Sequence, residues 1–187
     1  MKKQTHHKLN NKKGFTLAET LLAVLILLMV STIVATGIPV AKNAYEKVVL
    51  ASNAEVLLST TISTLRNELG MAQTIETKEP ESGETAAVGT IITYYNPSRG
   101  ASSKIYVDSN DQQIMFQRYY NSDGLSKEYA AVPLISSKIS TDGLYVTYRS
   151  VTYENGIISF KNLSVNSKSG TEGLAKRENL SIQIISE

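Results

Sequence analysis

One carboxylate, Glu19, lies where a charged side chain is costly. It precedes by two residues the unbroken apolar run LLAVLILLMV at positions 21–30. A carboxylate at the start of a membrane-crossing segment is expensive unless it is paired, so it is by default a functional candidate. A structural interpretation also exists, because an acid in the first turn of a helix interacts favourably with the helix dipole. Residue type and position leave both interpretations open.

The chain lacks the residues on which much enzyme chemistry depends. Its 187 residues include no cysteine, and the only histidines are His6 and His7. This composition excludes disulfide frameworks, zinc–thiolate sites, iron–sulfur ligation and cysteine nucleophiles. A glycine-rich phosphate loop is also missing from the sequence. We therefore predict that the protein is not an enzyme and that it binds no cofactor.

One short segment, DSND at positions 108–111, offers oxygen ligands of the kind that calcium prefers. The segment lacks both the length of an EF-hand loop and the bidentate glutamate that closes one. Aspartate is common in turns because its side chain hydrogen-bonds nearby backbone groups. The sequence therefore predicts a turn here and no metal site.

The element that must position Glu19 is a long apolar segment that continues from Leu21 to Val40. A helix of this length is about 30 Å long, which matches the hydrocarbon core of a bilayer. A secretory signal peptide fits less well, because its apolar region is shorter and ends at a cleavage site of small residues. We therefore predict a membrane-spanning helix.

The charges predict its orientation. Residues 1–14 contain five lysines and no acid, so with a net charge of +2 for the whole chain the other 173 residues carry −3. By the positive-inside rule the N-terminus is cytoplasmic and the body lies outside. The acidic body gives no reason to expect a nucleic-acid-binding domain. The basic residues of the body lie closest together in a segment where acids are interleaved with them. They are Lys161, Lys168, Lys176 and Arg177.

The segment KKGFTLAETLL at positions 12–22 resembles the processing site of type IV prepilins and the related pseudopilins. In that family a basic leader ends in glycine, phenylalanine follows, and a glutamate occupies the fifth mature position before a long apolar segment. Gly14, Phe15 and Glu19 match this order and spacing. The resemblance implies that a membrane-embedded peptidase cleaves between Gly14 and Phe15 and methylates the new amino group of Phe15. Glycine suits a narrow protease cleft because its backbone can approach closely.

The resemblance also implies partners and a role for Glu19. The expected partners are the prepilin peptidase, other pilin subunits and an inner-membrane assembly platform. Cleavage would remove His6 and His7 with the leader. In a filament, Glu19 is expected to reach the amino group of Phe15 on a neighbouring subunit, because a misplaced subunit would leave two buried charges unpaired.

A second feature of the apolar segment is a pair of helix-weakening residues, Gly37 and Pro39. Many major pilins have a helix-breaking proline slightly earlier, where this chain has Thr36. Pro39 cannot donate a hydrogen bond to the carbonyl of Ala35, and Gly37 weakens the same turn. We therefore predict a helix kink at Gly37 and Pro39.

Beyond Val40 the apolar residues recur at spacings of three and four, which predicts an amphipathic helix. Gly70 is a suitable C-terminal stop. We therefore predict one continuous helix over Phe15–Leu69. The apolar stripe consists of Ala41, Ala44, Val48, Ala51, Ala54, Leu58, Ile62, Leu65 and Leu69.

The remaining segment alternates strand and turn signals. Polar residues, glycine and proline predict a loop over 71–90, and Asn155-Gly156 predicts a tight hairpin turn within 144–165. A polar loop is predicted over 166–179, before a last strand in which Leu180, Ile182 and Ile184 alternate. Further strands are predicted over 91–95, 105–107, 112–120 and 129–135. The predicted fold class is α+β: a long N-terminal helix packed on a C-terminal antiparallel β-sheet, as in pilins.

Four segments follow from these patterns: a cleaved basic leader at 1–14, a transmembrane or filament-core half-helix at 15–40, an amphipathic half-helix at 41–70, and an exposed β-sheet domain at 71–187. The predicted protein is a pilin-like subunit, a minor pilin or pseudopilin in preference to a major pilin. It is expected to cross the cell membrane once and then to enter a surface filament. The alternative is a membrane-anchored extracellular module that captures DNA or a surface ligand, which basic residues clustered on one face would favour.

Overall fold

The computed structural model describes residues 16–80, 87–122, 125–136, 143–170 and 172–185. Within these ranges, one helix, α1 (Leu17–Leu69), precedes ten strands. The strands are β1 (Gln73–Lys78), β2 (Ala87–Asn96), β3 (Ala101–Asp108), β4 (Ile114–Ser122), β5 (Leu125–Glu128), β6 (Val132–Pro133), β7 (Leu144–Thr147), β8 (Ser150–Glu154), β9 (Ile157–Ser167) and β10 (Ala175–Gln183).

The chain divides into two compact units, Met1–Glu46 and Lys47–Glu187. In the first unit, the described residues from Leu17 onward are helical and exposed. In the second unit, the C-terminal part of α1 packs against antiparallel strands, and its buried face begins at Ala54. The predicted α+β fold class, with a long N-terminal helix on antiparallel strands, is confirmed.

The strands form two antiparallel sheets, where the sequence predicted one. The larger sheet has the order β1-β2-β3-β4-β5, and β6 also pairs with β4. The smaller sheet has the order β10-β9-β7, and β8 also pairs with β9. Period-two patterns identify strands, but they do not state which strands share a sheet.

The prediction of a loop over 71–90 is wrong in part. β1 lies within this segment and pairs with β2, which itself begins at Ala87. The sequence of β1, QTIETK, contains a single apolar residue, Ile75, and most of its side chains are exposed. This edge strand is therefore stabilised by backbone pairing with β2 and not by burial of its side chains. For that reason the hydrophobic pattern of the sequence indicates it only weakly.

The prediction of a single strand over 129–135 is also wrong. β5 ends at Glu128, and the only strand residues described within 129–135 are Val132 and Pro133 of β6. Proline has no N–H group and cannot continue a hydrogen-bonded ladder. Apolar and aromatic residues in this segment therefore made it resemble a longer strand than the backbone can form.

The last strand is longer than predicted. β10 begins at Ala175, within the segment 166–179 that was expected to be a loop. Its first half, AKREN, is mainly polar and exposed, and it is held by pairing with β9. Leu180 and Ile182 are buried in alternation, as predicted, and Ile184 packs against the core just beyond the strand.

The predicted hairpin turn is confirmed. Glu154 pairs with Ile157, so Asn155 and Gly156 form a two-residue loop between β8 and β9. Their φ angles are 50° and 76°. Positive φ at both central residues is the geometry that makes Asn-Gly the preferred sequence for such a turn.

The smaller sheet changes its buried face along its length. In β9, Ile158 and Phe160 are buried before Asn162, whereas Leu163 and Val165 are buried after it. The φ angle of Asn162 is 55°, which departs from extended geometry at the point where the buried positions change from even to odd. The strands that pair with β9, namely β10 on one side and β7 and β8 on the other, also change between even-numbered and odd-numbered buried positions.

The apolar stripe of α1 is buried only in its later turns. Val48 is 67% exposed, and Ala41, Ala44 and Ala51 are exposed as well, so burial of the early part of the predicted stripe is wrong for the single chain. Periodicity identifies the apolar face of a helix but not how far along it a sheet extends. The buried residues of α1 are Ala54, Leu57, Leu58, Thr61, Leu65, Glu68 and Leu69.

The two sheets meet at Tyr148. Its hydroxyl donates to the carbonyl oxygen of Thr90 at 2.8 Å, and its ring packs edge-on against Phe160 with centroids 5.3 Å apart. Burial raises the pKa of the Tyr148 phenol, so the group stays protonated and able to donate. Gly89, with φ of 74°, lies close by, and a Cβ built there would approach the carbonyl oxygen of Arg149 to 2.8 Å.

We expect Gly89→Ala to destabilise the second unit by about 2–4 kcal/mol, because left-handed strain and the displacement of a packed carbonyl add. Gly156→Ala is the matched control, since Gly156 has nearly the same φ, 76°, but no atom within 4 Å of the added Cβ. Urea unfolding of the fragment 41–187 measures both free energies. Equal losses for the two variants would contradict the close approach.

We expect the fragment 41–187 to be soluble and folded, because its helical part supplies an apolar face for the sheets. Truncation to residue 71 removes Leu57, Leu58, Leu65 and Leu69 from the core and should cause aggregation. Size-exclusion chromatography and circular dichroism distinguish the two outcomes. A monomeric 71–187 fragment with cooperative unfolding would show that the helix is dispensable.

Candidate functional site

The start of α1 is closed by a reciprocal pair of polar side chains, Thr16 and Glu19. The Thr16 N–H donates to Glu19 Oε2 at 2.9 Å, and the Thr16 hydroxyl donates to the same oxygen at 3.0 Å. In return, the Glu19 N–H lies 3.4 Å from the Thr16 hydroxyl oxygen. This arrangement is a capping box, in which residues three apart satisfy backbone N–H groups that the first helical turn leaves unpaired.

The capping box shows what Glu19 does in the single chain. The described hydrogen bonds to its carboxylate all use Oε2, and the side chain is exposed at the end of the helix. The charge therefore lies beside the positive end of the helix dipole and is open to a further donor. Sequence reasoning missed the box, although its signature, Thr-x-x-Glu before an apolar run, is present at positions 16–19.

The helical segment that follows exposes apolar side chains on every face. By length and composition α1 is suited to cross a membrane, and none of its most apolar 18-residue window is buried. A buried core helix is therefore excluded for this segment. Exposed apolar residues include Leu21, Leu25, Leu28, Val30 and Ile33.

The hydroxyl groups within this apolar segment are internally satisfied. Ser31 donates to the carbonyl of Leu27 at 2.7 Å, and Thr32 donates to that of Met29 at 2.7 Å. The Thr36 hydroxyl lies 3.0 Å from the carbonyl of Thr32. Polar groups bonded to their own helix add little cost in an apolar surrounding, where no water is available. By contrast with these hydroxyl groups, Glu19 is ionisable, and it is the one ionisable side chain that α1 carries before Lys42.

Gly37 and Pro39 lie inside α1, which continues through both residues without interruption. A melted segment is therefore not part of this structure, and the kink at these two residues stays a prediction. Gly14 and Phe15, the predicted cleavage and methylation positions, lie outside the described residues, as do His6 and His7.

The aspartate segment at 108–111 forms a turn between β3 and β4. The carboxylate of Asp108 accepts the N–H groups of Asn110 at 3.1 Å and of Asp111 at 2.9 Å. Asp111 forms an ion pair with Lys168 at 3.6 Å. These bonds use the carboxylates for backbone and lysine contacts, and the described residues contain no group of three or more side chains suited to a metal ion.

Two of the four basic residues that were candidates for nucleic-acid contact are paired with acids. Lys168 is paired with Asp111, and Lys176 is paired with Glu178 at 3.6 Å. In each exposed pair the acid neutralises the positive charge of the lysine, which would otherwise be available to bind a phosphate backbone. The binding-module alternative therefore has no specific support from these lysines.

One ion pair between a buried acid and an exposed arginine was not predicted. Glu68 of α1 is buried and contacts the guanidinium of Arg99, which lies in the turn between β2 and β3. Burial, together with the negative charge of Glu68, raises the pKa of the Tyr94 phenol. The signal was present in the sequence, because Glu68 occupies the buried stripe beside Leu65 and Leu69. The pair joins the end of α1 to the larger sheet and has a structural role.

Comparison with known protein families gives a match over the N-terminal part of the chain. Residues 9–35 match the family model described as the prokaryotic N-terminal methylation motif. The matched segment includes Gly14, Phe15, Glu19 and the first part of α1. No curated protein and no solved structure matches the chain.

Proposed function

Because this methylation motif makes the chain type IV prepilin-like, we propose that it is a pilin-like structural subunit, a pseudopilin or minor pilin. A prepilin peptidase cleaves it between Gly14 and Phe15 and methylates Phe15. The mature chain stays in the membrane with its N-terminus on the cytoplasmic side. An inner-membrane platform then assembles it with other subunits into a type IV pilus-like filament for adhesion, motility, secretion or DNA uptake.

The observation that carries this proposal is the methylation motif at residues 9–35. The motif overlaps the start of a helical segment whose apolar surface is exposed. Such a surface requires an apolar partner, because water disfavours contiguous exposed apolar area of this extent. The lipid bilayer supplies that partner first, and the helices of neighbouring subunits supply it after extraction.

The capping box supports a two-state role for Glu19. In the single chain its carboxylate is hydrogen-bonded to Thr16. In the assembled state, Glu19 pairs with the methylated amino group of Phe15 on an adjacent subunit, and this pairing sets the axial register. Both states provide a partner for the charge, so that Glu19 is tolerated beside the apolar segment throughout assembly.

Filament recovery tests the proposal. The full chain, tagged at its C-terminus, is expressed in its host, and sheared surface filaments are separated from membranes by sedimentation. We expect the tagged chain in the filament fraction, and its loss from that fraction when the assembly ATPase gene is deleted. An unrelated single-pass membrane protein controls for vesicle contamination. Exclusive recovery of the chain in membranes, or as a soluble secreted form, would contradict the proposal.

A further inference from the structure

A polar groove lies between α1 and β10 in the second unit. Its volume is about 430 Å³, and β10 forms an edge of the smaller sheet. Two guanidinium groups line it, Arg66 from α1 and Arg177 from β10, together with hydroxyl and amide side chains. The other lining residues are Ser59, Ile62, Ser63, Asn179, Leu180 and Ser181.

Among the residues that the structure describes, the two arginines of this groove have no acidic partner. Both are exposed, and neither forms an ion pair within the described ranges. The described part of the lining contains no carboxylate. Elsewhere in the same unit, Arg99, Lys168 and Lys176 are each paired with an acid. Guanidinium groups present planar forks of donors that match carboxylates and phosphates, so the groove is suited to an anionic group.

The lining and the overall charge favour carboxylate over nucleic acid. None of the described residues that line the groove is aromatic, whereas proteins that bind single-stranded nucleic acid stack its bases on aromatic rings. The chain beyond residue 14 carries a net charge of −3, which repels an extended polyanion. A short acidic stretch of polypeptide needs no aromatic platform and carries far fewer negative charges than a nucleic-acid backbone.

The chain itself carries such a stretch at the edge of its larger sheet, where two glutamates and one lysine give positions 76–79 a net negative charge. Glu76 of β1 and Glu79 just beyond it are exposed, and neither is ion-paired within the described ranges. β1 is the edge strand of that sheet, as β10 is of the smaller sheet. We propose that the groove lined by Arg66 and Arg177 binds the acidic β1 edge of a second copy of this chain.

This contact joins two different surfaces, one from each copy. Such a heterologous contact repeats from subunit to subunit and generates an open helical array when the rotation does not close a ring. The inference rests on the proposed filament function and extends it, because it names the contact between exposed domains. It favours a pseudopilin that repeats along a filament over a sparsely used minor pilin.

Cysteine cross-linking tests the contact, because the natural chain contains no cysteine. Two full-length chains with different tags are co-expressed, one with Ser63→Cys in the groove and one with Lys78→Cys at the end of β1. Mild oxidation should give a mixed dimer in the membrane or filament fraction, and neither chain alone should dimerise. Glu154→Cys, at the exposed end of β8, replaces Lys78→Cys in the control pair.

Charge reversal then tests the chemistry of the contact. Arg66→Glu together with Arg177→Glu should reduce the mixed dimer about tenfold, because like charges then face each other. Glu76→Arg with Glu79→Arg on the partner should restore it. Cross-linking no greater than the control pair in both fractions, or unaffected by charge reversal, would overturn the inference. A mixed dimer confined to membranes supports the contact and contradicts only the filament function.

Discussion

Gly14→Trp is expected to leave the chain unprocessed, with its basic leader attached and Phe15 unmethylated. The natural chain is expected to begin at N-methylated Phe15. A peptidase must hold the chain extended in a narrow cleft, and glycine allows the backbone to approach closely, whereas an indole displaces the bond to be cut. A displacement of about 1 Å can reduce a reaction rate roughly a hundredfold, so processing should be nearly abolished.

Mass spectrometry of the N-terminal peptide measures this result directly. Asn10→Trp is the matched control, because it places the same bulky residue in the leader at a distance from the cleavage position. The control chain should be cleaved and methylated as the natural chain is. A natural chain that keeps its leader, or that is cut after residue 40, would contradict prepilin processing.

Glu19→Ala is expected to be processed normally but to enter filaments roughly a hundredfold less than the natural chain, because the buried amino group of the adjacent subunit is then unpaired. The capping box provides an alternative explanation for such a loss, since Glu19 also stabilises the helix start. Two further variants separate the charge of Glu19 from its capping role.

Glu19→Gln keeps an acceptor for the Thr16 N–H, because glutamine is also found at this position of capping boxes, but it removes the charge. Thr16→Val does the reverse, since it removes the capping hydroxyl and leaves the Glu19 charge. We expect Glu19→Gln to fail in filament entry and Thr16→Val to succeed. Filament-fraction immunoblots with N-terminal mass spectrometry give both readouts. The opposite pattern would assign Glu19 to capping alone, and loss of cleavage would assign it to peptidase recognition.

The features that the sequence predicted correctly depend on neighbouring residues. The order Gly14, Phe15, Glu19 and an apolar run is read within one short segment, and the family model matches that segment. The Asn155-Gly156 turn is equally local, because both residues tolerate positive φ. Each of these signals is complete without knowledge of what the segment packs against.

The features that were missed depend on distant partners. β1 exists because its backbone pairs with β2, although its own sequence is polar. The division into two sheets depends on contacts such as that of Tyr148 with Thr90, which lie 58 residues apart. Likewise, the early part of the α1 stripe has the periodicity of a buried face but is exposed in the single chain. Pattern alone does not identify the surface that covers it.

The change of buried face at Asn162 restricts how the protein can vary over evolutionary time. Since successive strand residues point to opposite sides, inserting or deleting one residue in β9 inverts every position from there to the end of the strand. The sheet already contains one such inversion, shared by the segments on both sides of β9. A second one would place Leu163 and Val165 in water. Insertions and deletions among related chains should therefore occur mainly in the turns. Asn162 should be replaced mainly by glycine or aspartate, which also tolerate its backbone angles.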